Sequence, residues 1–224
     1  MSIAENIKRI TSELGENTRL VAVSKTKPDE DLMEAYNAGQ RVFGENKVQE
    51  LTGKYERLPK DIEWHFIGHL QTNKVKYIAP FVSLIHGVDS LKLLKTINKE
   101  AKKKDRVIDC LLQFHIATES TKFGLNMQEA FAILEDEQYR SFGNVRIAGV
   151  MGMATYTDDK EQVRKEFRSL KDVFDEVKEK YFADKEYFKE ISMGMSGDYK
   201  IAIEEGSTLV RIGSSIFGAR VYNK

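Results

Sequence analysis

Two rhythms of apolar residues alternate along the chain. Short continuous runs rich in β-branched residues suit strands buried on both faces, as in a parallel sheet covered by helices. Between them, apolar residues recur at every third or fourth position, the pattern of helices with one buried stripe. The first stripe is Ile3, Ile7, Ile10 and Leu14, which predicts a lid helix over 2–14 on the bottom or side of a domain. The first strand follows at Leu20 to Val23, and Pro28 and Gly39 then bracket a helix through Leu32 and Ala35. Further strands are predicted at 41–44, 62–67, 81–86, 106–115, 145–151, 188–193 and 208–212. The helices between them cover 45–57, a stretch through Leu70, Val75 and Ile78 that stops at Pro80, and a stretch capped by Ser90 with Leu94, Ile97 and Ala101 inward. Three more follow, one opened by Asn126, a long one over 159–181 with Val163, Phe167, Leu170, Phe174 and Val177 on one face, and one over 196–205. Eight strands alternating with helices predict an α/β chain closed as a single-domain (β/α)8 TIM barrel over 1–224, with an extra N-terminal helix. A doubly wound open sheet is the alternative.

Composition narrows the class without adding chemistry. Lys plus Arg equals Asp plus Glu at 35 each, so no basic field points to nucleic acid. The start lacks a signal-peptide apolar stretch and no window is long and apolar enough for a membrane span, so a cytoplasmic protein is expected. The single cysteine, Cys110, lies in an apolar run and reads as a packed core thiol.

The candidate chemistry lies at strand ends. Lys25 ends the first strand, where parallel α/β folds place their sites; a desolvated amine there could lose its proton and attack a carbonyl. An exposed lysine at a strand tip is the alternative. After the seventh strand comes Ser192-Met193-Gly194-Met195-Ser196-Gly197-Asp198, and after the eighth Arg211-Ile212-Gly213-Ser214-Ser215. Both turns can aim amides and a hydroxyl at an anion, and barrel enzymes often hold phosphate there. Ser196 would equally serve as an N-cap, and Asp198 as a helix-dipole partner. A lysine with a phosphate cradle selects a carbonyl compound carrying a phosphate, either the substrate of a sugar-phosphate aldolase or pyridoxal 5′-phosphate (PLP) held as an internal aldimine. Arg211 favours PLP if its guanidinium reaches the pyridine nitrogen; a salt bridge to a nearby acid is its alternative role.

Several segments carry a family resemblance. Val23 to Pro28, Phe43-Gly44-Glu45-Asn46 with Val48-Gln49-Glu50, Trp64 to Lys74, Ser192 to Asp198 and Arg211 to Ser214 resemble the PLP homeostasis proteins. That group includes the bacterial YggS-like proteins and the eukaryotic proline-synthetase co-transcribed homologues. The resemblance covers nearly the whole chain and implies an alanine-racemase-like N-terminal barrel. It implies that Lys25 binds PLP covalently, that Arg211 faces the pyridine nitrogen, that Ser196, Gly213 and Ser214 hold the phosphate, and that Asn46 lies near the ring. Two stretches depart from the pattern: Phe114-His115, where many relatives have a small apolar residue and Asn, and Thr121-Lys122-Phe123-Gly124, with Phe123 where His or a small residue is common.

In the related racemases a further β domain carries a tyrosine as the second acid/base, and about a dozen residues after Arg211 leave no room for one. A one-base site with an unprotonated pyridine is a poor electron sink. The expectation is therefore a cytoplasmic, monomeric PLP-binding protein of vitamin B6 homeostasis with little or no turnover, supplying apo-enzymes; a racemase-like enzyme is the alternative. His65, His69, His86 and His115 are scattered without metal-ligand spacing, so no metal is expected, and His69 reads as approaching the mouth or as capping and packing. Met151, Met153, Met193 and Met195 read as apolar walls beside the ring or as ordinary core, and Trp64 as core.

Overall fold

The computed structural model describes residues 1–118 and 123–218. Its strands are β1 (Arg19–Val23), β2 (Val42–Glu45), β3 (Glu63–Phe66), β4 (Leu84–Val88), β5 (Ile108–Phe114), β6 (Val145–Gly152), β7 (Glu190–Met195) and β8 (Leu209–Ile212). All pair in parallel in chain order, and β8 pairs back onto β1 through Ala22 and Ile212, so the sheet closes and the open alternative falls away. The helices are α1 (Ile3–Glu13), α2 (Asp29–Asn37), α3 (Val48–Arg57), α4 (Val75–Ile78), α5 (Leu91–Lys102), α6 (Met127–Glu135), α7 (Glu137–Arg140), α8 (Lys160–Tyr181), α9 (Tyr199–Glu204) and α10 (Ser214–Phe217).

Local chemistry starts two of the helices with reciprocal polar caps. Ser2 Oγ accepts from the Glu5 N–H while the Glu5 carboxylate accepts from the Ser2 N–H, and Asn126 with Glu129 repeats this box at α6. The extra helix α1 packs on α2 and α10, on the flank of the barrel. Among the described residues no helix is long and apolar enough to cross a membrane.

Some boundaries differ from the expected ones. The amides of Phe81 and Val82 both donate to Ile78 O, so β4 begins only at Leu84 although Val82 is fully buried. Phe188 is packed between the rings of Phe174 and Phe182, and β7 begins after it. Glu45 still pairs with Phe66 as a strand residue, so α3 starts at Val48. A buried apolar run does not by itself tell strand from loop.

Alternation along the strands separates two apolar layers. Phe43, Trp64, Cys110 and Phe167 belong to the large layer between sheet and helices. Val21, Leu84, Leu111, Ala148, Met151 and Leu209, drawn from strands all round the barrel, fill its interior. Ala148 and Met151 both face inward because β6 bulges at Gly149, whose φ is +154° and where a Cβ would lie 1.8 Å from Glu190 O. At the strand starts, Arg19 pairs with Glu190 at 2.8 Å and Arg146 with Asp109 at 2.6 Å around a cavity of about 290 Å³.

Candidate functional site

The opposite end gathers the predicted residues. Lys25, half-buried, lies just past β1 in a turn where the Lys27 amide donates to Ser24 O at 3.0 Å. Half-buried Asn46 follows β2, and Gly68 lets the chain after β3 press against it: a Cβ there would lie 2.6 Å from Asn46 O. Ser196 follows β7, and Gly213 and Ser214 follow β8. Because β8 closes onto β1, these residues occupy four consecutive strand ends, β7 to β2 across the closure.

Ser196 joins the last two turns. Its Oγ accepts from the Gly213 amide at 3.3 Å and from the Ser215 amide at 3.5 Å. Two amides thus converge on a hydroxyl, a donor set suited to an anion. A Cβ built on Gly213 would lie 3.1 Å from Val23 O, so this turn stands against the end of β1, two residues before Lys25. Ser196 is not an N-cap, because α9 begins at Tyr199 and its cap position is Asp198. The Asp198 carboxylate does not cap the helix amides either; it folds back to accept from the Met195 N–H at 2.5 Å.

Arg211 lies one layer deeper and is 4% exposed. Its Nη1 donates to Ser192 Oγ at 2.5 Å and its Nη2 to Gly152 O at 3.1 Å, so neutral groups, rather than an acid, hold it. Burial pulls its pKa down to about 10, which leaves the guanidinium charged at neutral pH.

The chain of contacts continues past Ser192. Its Oγ lies 2.8 Å from His86 Nδ1, and His86 Nε2 lies 3.0 Å from His65 Nδ1. One ordering of hydrogens serves this line: Ser192 accepts from Arg211 and donates to His86 Nδ1, and His86 Nε2–H donates to His65 Nδ1. Burial keeps both imidazoles neutral, with the pKa of His65 lowered to about 3 and that of His86 well below its ordinary value. Sequence reasoning treated these histidines as scattered and missed their meeting. The available signal was a polar residue at an inward position in each of two neighbouring apolar strands.

The other expected residues divide. Met151 fills the interior and Met153 packs beside it, but Met193 faces the helices and Met195 is 38% exposed, so no wall of four methionines forms. Trp64 is fully buried core. His69 stacks on the exposed ring of Phe123 with centroids 5.6 Å apart and lies 3.6 Å from Asp89, at the mouth rather than in the core. Phe114 is packed among core residues, His115 is exposed, and Thr121 and Lys122 lie outside the described residues.

Comparison with known proteins agrees with the barrel fold. The family model described as the N-terminal domain of alanine racemase matches residues 1–221. A pyridoxal phosphate homeostasis protein of Aquifex aeolicus is 41% identical over 99% of this chain and 100% of its own length. One of Mus musculus is 42% identical over 92% of this chain and 78% of its own length. The solved structure of PipY of Synechococcus elongatus with PLP bound superposes with a TM-score of 0.87 at 32% identity, covering 97% of this chain and all of that one. By domain and by full-length kinship, the chain belongs to the pyridoxal phosphate homeostasis proteins built on the alanine racemase N-terminal barrel.

Proposed function

We propose that the chain binds PLP and serves its homeostasis in the cytoplasm, acting as a monomer that holds the cofactor and yields it to apo-enzymes. The observation that carries this reading is the juxtaposition of a lysine-bearing turn and an amide–hydroxyl cradle at adjoining strand ends, above a buried guanidinium. Lys25 supplies the amine for a Schiff base. Ser196 with the turn of Gly213 and Ser214 takes the phosphate, and Asn46 lies beside the ring. The kinship with a protein solved with PLP bound supports PLP as the ligand.

When bound, PLP supplies an aldehyde and a ring able to delocalise negative charge. Arg211 limits the second property. With PLP bound, a guanidinium charged at neutral pH would donate to the pyridine nitrogen instead of giving up a proton to it, and the ring would stay a weak electron sink. Slower α-proton removal is the consequence, which favours retention over turnover.

The purified protein mixed with PLP is expected to develop a visible absorption band that borohydride bleaches, leaving the added mass on the peptide containing Lys25. Lys25→Ala should abolish both. A panel of amino acids incubated in deuterated water should show no α-hydrogen exchange above the PLP-only control. A band that survives in Lys25→Ala removes the lysine from the reading, and rapid exchange with any amino acid replaces a holding protein with a racemase-like enzyme.

A further inference from the structure

The turn that carries Lys25 is strained. Its third residue, Thr26, has φ +64°, in the region that favours glycine or asparagine and disfavours β-branched side chains. A strained turn persists where its surroundings hold it, and several holders stand out here. Glu50 Oε1 accepts from the Thr26 amide at 2.6 Å. Ser24 O, on the other side of Lys25, accepts from Lys54 Nζ at 2.8 Å as well as from the Lys27 amide at 3.0 Å. The Ser24 hydroxyl donates to Glu45 Oε1 at 2.6 Å, and Lys54 Nζ closes the group by donating to Glu45 at 2.8 Å and Glu50 at 2.7 Å.

Three members of this group are withdrawn from water, with Ser24 and Glu45 0% and Lys54 2% exposed. Glu45 ends β2 and the other two carriers of charge lie one turn apart on α3, so the cluster is tied to rigid elements outside the turn. Its bonds reach the residues flanking Lys25 on both sides. Nothing in general barrel stability requires a buried ionic group at this one turn, since apolar residues would fill the space at lower desolvation cost.

We propose that Glu50 and Lys54 are positioning residues for Lys25: with Glu45 they brace the strained turn so that the amine is aimed at the ligand's carbonyl before the ligand arrives. This rests on the PLP reading above. The brace contributes to the approach geometry of amine and aldehyde, and not to holding the ring or the phosphate.

Two ligands separate those contributions. PLP reports condensation through the growth of its visible band in stopped flow, while pyridoxine 5′-phosphate, which has an alcohol in place of the aldehyde, reports non-covalent binding alone. Glu50→Ala is expected to slow condensation by about tenfold or more, as small misplacements of reacting groups do, while the affinity for the alcohol stays within about twofold. Glu50→Gln keeps an acceptor for the Thr26 amide and should restore most of the rate. Thr26→Gly relaxes the turn while keeping the amide that donates to Glu50, and should also slow condensation, with a melting temperature no lower than that of the wild type. Wild-type rates in both Glu50→Ala and Thr26→Gly, or a parallel loss of affinity for the alcohol, would overturn the brace. A wild-type protein that binds pyridoxine 5′-phosphate but never forms the band would instead overturn the assignment of Lys25.

Discussion

Between pH 6.5 and about 4.5 the fold is expected to lose stability at about 1.4 kcal/mol per pH unit for His65, with His86 adding to the loss in the same direction. Both imidazoles have native pKa values lowered by burial, that of His65 to about 3, whereas in the unfolded chain each takes up a proton near its ordinary value. The unfolded state therefore binds more protons throughout this window. Stability rises with pH through it and is fully regained above the unfolded pKa. Two units below that value His65 alone accounts for about 3 kcal/mol, a large part of the stability of many domains, and His86 acts in the same direction. Urea unfolding at pH 7.5, 6.5, 5.5 and 4.5 measures the slope. His65→Asn should remove about half of it in the upper part of the window, where ordinary carboxylates do not yet titrate; a wild-type midpoint that stays flat from pH 6.5 to 5.5 would refute the neutral assignment.

Replacing Lys54 by Met is expected to destabilise the protein by about 3–5 kcal/mol, the usual cost of breaking a buried ion pair from one side. The Met stem replaces the lysine's methylenes, so the loss is electrostatic rather than a cavity. It leaves the fully buried Glu45 carboxyl without its cation and Ser24 O without one of its donors. Burial already raises the Glu45 pKa against the pull of Lys54, and without Lys54 this carboxyl should take a proton. Glu45→Leu combined with Lys54→Met should recover part of the loss, because an apolar pair needs no counter-charge, while the buried Ser24 hydroxyl still loses its acceptor. Chemical denaturation of the two single variants and the double variant closes the cycle. A cost below about 1 kcal/mol for Lys54→Met would mean that water reaches the pair.

The same residues show what the linear pattern could and could not convey. Continuous runs such as Leu20 to Val23 announced a parallel sheet, and eight of them in about two hundred residues announced closure. Lys25 and the small-residue turns at Ser196 and Gly213 were legible because strand-end position and residue size are properties of short stretches. The line from Arg211 to His65 was not: His65 and His86 are 21 residues apart, and their contact depends on the register of β3 against β4 and on both facing inward. Spacing rules built for one helix do not reach across two strands. Lys54 left a fainter trace, a charged residue three positions after Leu51 on the apolar stripe of α3, where a solvated lysine has no place. The expected N-cap role of Ser196 failed for a related reason. Its hydroxyl is used by the neighbouring turn, and a capping preference considers only the residues that follow.

The side chains that fill the interior, Val21, Leu84, Leu111, Ala148, Met151 and Leu209, make the barrel a cup and not a tube. A molecule seated at the lysine end has no rear exit, so it must depart by the opening through which it came. Any protein that took it over directly would have to approach that same rim.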